Sequence, residues 1–241
     1  MVRLLFALLL TLLAPSAAAQ SFNAQEQAEI RAVVRDYLVN NPDVLQEALE
    51  ALQERSEAER WQRITSDPRD FSLGPTDAPV VIVEFYDYRC GFCHAALQWV
   101  TDVTRTRRDV RLVLKELPIL SPESMEASRA VIAAAPQGRT WQFHRALMSF
   151  PLDQQLSSAQ IDRLARSVGI DVARMRRAMD SPEVIALLED NRGHALDVSA
   201  NPATPLFMIN GELISGFDRP RLEERLREAT REVRDRRAAR R

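Results

Sequence analysis

Apolar positions recur along this chain in distinct rhythms, and each rhythm predicts a different kind of element. Arg3 precedes a run from Leu4 to Ala14 that is apolar apart from Thr11, and Ala17-Ala18-Ala19 place small residues at a cleavage position. That is the pattern of a secretory signal over residues 1–19, with a mature chain starting at Gln20. The run is too short to span a bilayer comfortably. From there to residue 65 the spacing is helical. Ile30, Val33, Val34, Tyr37 and Leu38 form one stripe, and Val44, Leu45, Ala48, Leu49 and Leu52 a second. Asn41-Pro42 breaks the two, with Asn41 able to cap and Pro42 at a first helical position. Helices this short do not persist on their own, so both stripes must pack on the main domain or on another subunit. Beyond Leu52 the stripe fades into the charged run Glu54–Arg60.

Asp-Pro and Gly-Pro turn signals between Ser66 and Pro79 place a boundary near residue 66. Phe71–Leu73 reads as a short edge strand, and Val80–Tyr86 as a buried strand rich in β-branched and aromatic residues. A helix from about Cys90 runs through Trp99 toward Thr104, and Val110–Leu117 forms a second buried strand. Residues 121–199 are helical in pattern: Ser121–Ala135, Thr140–Ser149, Ser158–Val168, Asp171–Met179 and Pro182–Val198, with Ser121 and Ser181 as caps before prolines. Leu206–Ile209 and Glu212–Ser215 flank Asn210-Gly211, a two-residue hairpin signal. A last helix starts near Pro220. The order predicts an α/β domain over residues 66–230, a mixed sheet with a helical insertion at about 121–199, and then a basic tail, 231–241.

Composition narrows the function. The 241 residues carry a net charge of −2 and 46% apolar residues. The chain can therefore build a packed core, and its charge gives no general attraction to nucleic acid. The end from Arg219 to Arg241 holds ten Arg against five acids, and Glu223–Arg227 and Glu232–Arg236 are the favourable pairs at helical spacing. Two cysteines cannot staple a scaffold or fill a Cys-only zinc site.

Those two, Cys90 and Cys93, stand as Cys-Gly-Phe-Cys directly after a predicted strand and at the start of a predicted helix. Free N–H groups and the dipole at a helix N-terminus favour an anion, so Cys90 is expected to be exposed there with its thiolate favoured. Cys93 lies one turn on, faces inward, and can resolve a mixed disulfide at Cys90. A bridge closing so short a loop adds little stability, so a structural role is the weaker reading. With His94 the segment also matches the attachment signal of c-type haem, which would make His94 an axial ligand. The plainer reading of His94 is a residue on a first helical turn that adjusts local charge. Thiolates also favour Cu(I), so a copper-binding protein using the same thiols is a third reading. His144 and His194 form no recognisable metal spacing with Cys90.

Glu84 through Cys93, then Lys115-Glu116-Leu117-Pro118-Ile119-Leu120, then Thr204-Pro205 before Asn210-Gly211, resemble the DsbA family of thioredoxin-like oxidoreductases. The resemblance runs from about residue 68 to 225. The N-terminal helix pair, with Val34-Arg35-Asp36-Tyr37-Leu38 and Asn41-Pro42-Asp43-Val44-Leu45, is similar to the oligomerising region of ScsC-type (suppressor of copper sensitivity) proteins. The first resemblance implies a thioredoxin-like fold with a helical insertion. It makes Cys90 the nucleophile and Cys93 the resolving thiol, and Thr204-Pro205 the cis-proline loop facing the disulfide, with Gly91, Phe92 and Thr204 meeting substrate. It also makes Glu84 a buried acid. Strand alternation directs Glu84 the same way as Ile82 and Tyr86, and a buried carboxyl can accept the proton of the inner thiol. Lys115 is the only lysine among 32 basic residues, and its place on an inner strand suggests a confined site, against Glu84; a chance exposed lysine is the plain alternative.

Together these readings imply a periplasmic thiol:disulfide oxidoreductase without a cofactor. It would act on exported proteins with cysteines, be reset by a membrane redox partner, and assemble as a homo-oligomer through residues 23–65. Gly91-Phe92 lacks the polar dipeptide that would most stabilise a thiolate, which leans toward isomerase or reductase behaviour.

Overall fold

The computed structural model describes residues Phe22–Ala239. The signal sequence read at 1–19 lies outside them, as do the last two arginines. Two compact units meet at Glu54–Arg55. In the first, α1 (Ala24–Asn40) opens on a capping box: Asn23 Oδ1 accepts from the N–H groups of Gln25 and Glu26, and Glu26 accepts from the Asn23 N–H. α2 (Pro42–Thr65) starts at the proline. Asn41 plays a different part from the one expected of it. Its amide donates to the carbonyl of Tyr37 at 2.8 Å and so closes the end of α1. No residue of α1 is buried, and Val33, Val34, Tyr37, Leu45, Leu49 and Leu52 are all exposed.

The second unit begins within α2. Ile64 is fully buried and Trp61 packs beside it, against Val83, Phe85, Val113 and Met208. The last turns of this helix are thus core of the second unit, upstream of the turn signals near residue 66. Its sheet has the order β1 (Phe71–Leu73), β3 (Val110–Glu116), β2 (Val80–Tyr86), β4 (Leu206–Ile209), β5 (Glu212–Ser215). β2 and β3 are parallel, joined by α3 (Gly91–Thr106); every other pair is antiparallel. The helical insertion comprises α4 (Pro122–Ala134), α5 (Thr140–Met148), α6 (Ser158–Ser167), α7 (Val172–Ala178) and α8 (Pro182–Val198). Ser121, Asp171 and Ser181 cap α4, α7 and α8 with side-chain oxygens.

Register divides the strand residues between two faces. Ile82, Tyr86, Leu112 and Leu114 belong to the core that holds α3 and most of the insertion, whereas Val83, Phe85 and Val113 face the end of α2 and Ala195 of α8. Asn210 and Gly211 take positive φ, as a tight primed hairpin turn requires. Asn210 Oδ1 also accepts from the N–H of Val81, tying the hairpin to β2. α9 (Arg219–Ala239) continues as helix past residue 230 to the end of the described residues. The ion pairs expected at its surface are replaced: Glu223 pairs with Arg219, and Glu232 with Arg225. Arg225 lies on the buried side of α9 and also draws in Glu212.

Gly74 has φ +91, and a Cβ there would stand 2.2 Å from the Val110 carbonyl oxygen. Gly138 has φ +72 with open space around it. Gly74→Ala is therefore expected to lower unfolding stability by on the order of 3 kcal/mol and Gly138→Ala by about 1 kcal/mol. Urea denaturation of both variants measures the difference, and equal losses would show that backbone conformation alone matters at Gly74.

Candidate active site

β2 ends at Tyr86, and Asp87-Tyr88-Arg89 carries the chain to Cys90, the N-cap of α3. No side chain caps this helix. Its first N–H groups are thus left for the sulfur, as the position of Cys90 predicts. Cys90 and Cys93 are free thiols. Cys90 is less open than expected from a helix start: it is 6% exposed and Cys93 1%. The cover comes from the far end of the sequence. Thr204-Pro205 forms a cis peptide, and the Cys90 thiol donates to the Thr204 carbonyl at 3.0 Å. The Gly216 N–H holds the Pro205 carbonyl at 2.9 Å and anchors this loop to the end of β5. Phe92, by contrast, is 67% exposed, and Leu152, Ile119 and Leu120 are also exposed. Arg89 brings Leu152 near, because its guanidinium donates to the carbonyls of Leu152 and Gln154.

The two thiols are driven apart in acidity. A hydrogen bond from Cys93 is the largest influence on Cys90, bringing it down to about 6 against the effect of burial, with Thr204 and the N–H groups of Cys93 and Phe92 assisting. Burial, donation to Cys90 and the charge of Glu84 push Cys93 far above its ordinary value. Glu84 lies where strand alternation put it, on the face of Ile82 and Tyr86, and is buried. Burial and then the charge of Cys90 raise its carboxyl to about 8. This arrangement favours the thiolate at Cys90 and keeps the proton on Cys93, near a buried acid.

Lys115 is neither exposed nor opposite Glu84. In the parallel register Glu84 aligns with Leu114 and Lys115 with Phe85, so the two side chains leave opposite faces of the sheet. Lys115 is fully buried, forms an ion pair with Asp70 and stands 3.3 Å from His194 Nδ1. It belongs to the support of the sheet, away from the thiols. His94, on the first turn of α3, reaches back to the loop before its helix: Nε2 is 2.9 Å from the Tyr88 carbonyl. Among the described residues no group of three or more His, Cys, Asp or Glu side chains is placed to hold a metal ion.

Two positioning groups escaped the sequence reading. Asp87 is fully buried; its carboxylate accepts from the N–H groups of Arg89, Ile119 and Leu120 and from the Ser124 hydroxyl. Its backbone also hydrogen-bonds the Cys93 thiol. Glu116, beside Lys115 but on the other face, accepts from Tyr86, Tyr88 and Ser128. An acid closing a largely buried strand was the available signal at Glu116. Asp87 carried none, because turn aspartates are common.

A model of the DSBA-like thioredoxin domain matches residues 81–227. The chain belongs to the DSBA-like thioredoxin domain family. The thioredoxin-like fold and helical insertion expected from the residues around Cys90 are those observed. A second model, the copper resistance protein ScsC N-terminal domain, matches residues 26–59. Among solved structures, a thioredoxin-like oxidoreductase from Silicibacter pomeroyi is 33% identical, with a TM-score of 0.66 over 72% of this chain and 97% of that one. A linker-deletion variant of Proteus mirabilis ScsC is 27% identical, with a TM-score of 0.65 over 90% of this chain and all of the other. The Na(+)/H(+) antiporter NhaA 3 of Salinispora tropica is 33% identical over 156 residues, 60% of this chain. The chain spans only 22–27% of the length of such curated relatives. None of the described helices is long and apolar enough to cross a membrane.

In the fold Glu84 keeps its proton up to about pH 8, against an ordinary value of 4.5. The raised value favours the folded state fully below pH 4.5, and that advantage is lost as pH rises to about 8. Glu84→Gln is therefore expected to match the reduced wild type in stability at pH 5 and to exceed it at pH 9 by on the order of 3 kcal/mol. Denaturant titrations at the two pH values test this, and a difference independent of pH would rule out a raised Glu84.

Proposed function

We propose that this protein is a periplasmic thiol:disulfide oxidoreductase that forms, reduces or isomerises disulfides in exported proteins, with a lean to isomerisation and reduction. The observation that carries the reading is a low-pKa thiol at a helix N-terminus, under a cis-proline loop, with a high-pKa thiol one turn behind it. The Cys90 thiolate attacks one sulfur of a substrate disulfide; a Cys90–substrate bond forms, and the other substrate sulfur leaves as a thiolate. In the mixed disulfide Cys90 carries no charge, so one of the two influences that hold the proton on Glu84 is gone; ionised Glu84 then takes the proton of Cys93, which attacks Cys90 Sγ. The Cys90–Cys93 bond forms, and the substrate leaves reduced. The reverse sequence donates a disulfide. Phe92, Ile119, Leu120 and Leu152 offer apolar contacts to an incompletely folded polypeptide. The lean rests on Gly91-Phe92, which contributes no polar side chain to the thiolate. A membrane redox partner would reset the pair.

The exposed stripe of the N-terminal unit supports assembly of copies through residues 23–65, and the match to the ScsC N-terminal domain lies within that span. The name of that domain also favours a second reading, in which Cys90 and Cys93 bind Cu(I).

The reduction potential of the Cys90–Cys93 pair is the deciding measurement. A value at or below about −180 mV, with recovery of scrambled ribonuclease, is expected; a value near −120 mV would mark a strong oxidant and overturn the lean. Stoichiometric tight binding of Cu(I) without any exchange activity would favour the second reading. Assembly has its own test. Val33→Asp combined with Leu49→Asp is expected to convert the assembled protein to monomers in sedimentation velocity while insulin reduction persists. Unchanged sedimentation would refute a role for the stripe.

A further inference from the structure

The turn that presents Cys90 is held from both sides. Asp87 fixes one side, through the loop at Ile119 and Leu120 and through Ser124. On the other side stands a buried network that the exchange reaction does not use. Glu116 Oε1 accepts from Tyr86 at 2.5 Å and from Tyr88 at 3.0 Å, and Oε2 accepts from Ser128 of α4 at 2.6 Å. The Tyr88 hydroxyl also lies 3.2 Å from His144 Nδ1 of α5. All five side chains are buried. Tyr88 is then caught at its other end, where its carbonyl meets His94 Nε2 at 2.9 Å, and the His94 N–H donates to the Cys90 carbonyl at 3.1 Å. A continuous path of hydrogen bonds therefore runs from α4 through Glu116 and Tyr88 to the first turn of α3.

A network of this cost is out of proportion to mere packing. Burying a carboxyl is unfavourable unless it is well hydrogen-bonded, and three hydroxyl donors are committed to this one. Leucine or phenylalanine would fill the same space without that requirement. What the polar arrangement adds is direction. It holds the Tyr88 ring by its hydroxyl while His94 holds the Tyr88 carbonyl, so the residue that leads into Cys90 is fixed at both ends.

We propose that Glu116 is a positioning residue for thiol exchange, acting through Tyr88 to hold the first turn of α3 so that its N–H groups stay aimed at the Cys90 sulfur. This rests on the reading of Cys90 as the exchanging thiolate. The charged and titratable groups around Glu116 are Tyr86 and Tyr88 from β2 and its turn, His144 from α5, and Asp87. Asp70 and Arg69 lie across a cavity of about 30 Å³ that Glu116, His144 and Asn191 also line, with Arg69 committed to Asp67 and Asp190. None of them is a cation paired with Glu116, so its role is to gather hydroxyls, not to balance charge.

The consequence has a sign. If the turn loosens, Cys90 loses donors and its titration midpoint rises. If Glu116 acted only by its own negative field, removing that charge would lower the midpoint instead. The test uses the full-length reduced protein, with Cys90 titrated by thiolate absorbance and by alkylation rate. Tyr88→Phe deletes only the hydroxyl link and is expected to raise the Cys90 midpoint by about one unit, a tenfold loss of thiolate at low pH. Glu116→Ala should follow it, and Glu116→Gln, which keeps an oxygen for the tyrosines, should restore a midpoint close to wild type. Asp171→Ala removes the cap of α7 and serves as a matched destabilisation: it should lower the melting temperature and leave the Cys90 titration in place. A Tyr88→Phe variant that behaves like Asp171→Ala would overturn the proposal, as would a Glu116→Gln midpoint below wild type. A wild-type Cys90 that does not titrate below pH 8 would refute the exchange reading itself.

Discussion

An α-helix cannot satisfy its own first N–H groups, and the chemistry at Cys90 depends on that deficit. In most helices a serine, threonine or aspartate fills it, as Ser121, Asp171 and Ser181 do here. At α3 the N-cap is a cysteine, and no side chain makes the capping bond. The unmet donors then stabilise sulfur as an anion. Cys93, three residues on, points back into the core, where the same charge is disfavoured. One short helical turn thus separates two identical side chains into a more acidic thiol and a far less acidic one.

The deficit is useful only if the turn before the helix is rigid, and the structure commits several buried polar groups to that rigidity. Asp87 gathers backbone donors from the loop after β3, while Glu116 gathers hydroxyls from β2 and α4. Neither touches sulfur with its carboxylate. Glu84 differs from both, since burial and then the charge of Cys90 raise its proton affinity. Asp70 and Lys115 form a further buried pair on the opposite face, where Lys115 joins the sheet edge to His194 of α8. Three acids on or beside the central strands therefore serve distinct ends according to what surrounds them: hydroxyls at Glu116, an ammonium at Asp70, thiols at Glu84.

The N-terminal unit follows other physics. Its helices carry good local signals, a capping box at Asn23 and a proline start at Pro42, yet their apolar stripe stays uncovered. α2 does not end at the composition change after Leu52. Its final turns carry Trp61 and Ile64 into the core of the second unit, so a single helix contributes to both units. Helix propensity is continuous through the charged run, and only packing tells its two halves apart.

Strand and helix positions, the Asn210-Gly211 hairpin, and the pairing of Cys90 with Cys93 across one turn were all legible in the amino-acid sequence, because each follows from spacing along a few neighbouring residues. So was the inward direction of Glu84, since period-two alternation is a local property of a strand. What lies opposite what was not. By type and charge Lys115 suits Glu84, but the parallel register of β2 and β3 sends them to opposite faces and gives Lys115 to Asp70. Asn41, whose type suits a cap for the helix after it, closes the one before with its side chain. The cover of Cys90 by Thr204, the hydroxyls on Glu116 and the ion pairs of Arg225 join residues from distant parts of the chain or depend on which side of a helix is buried. Such contacts are selected by the packing of whole elements against one another, and only the tertiary structure decides them.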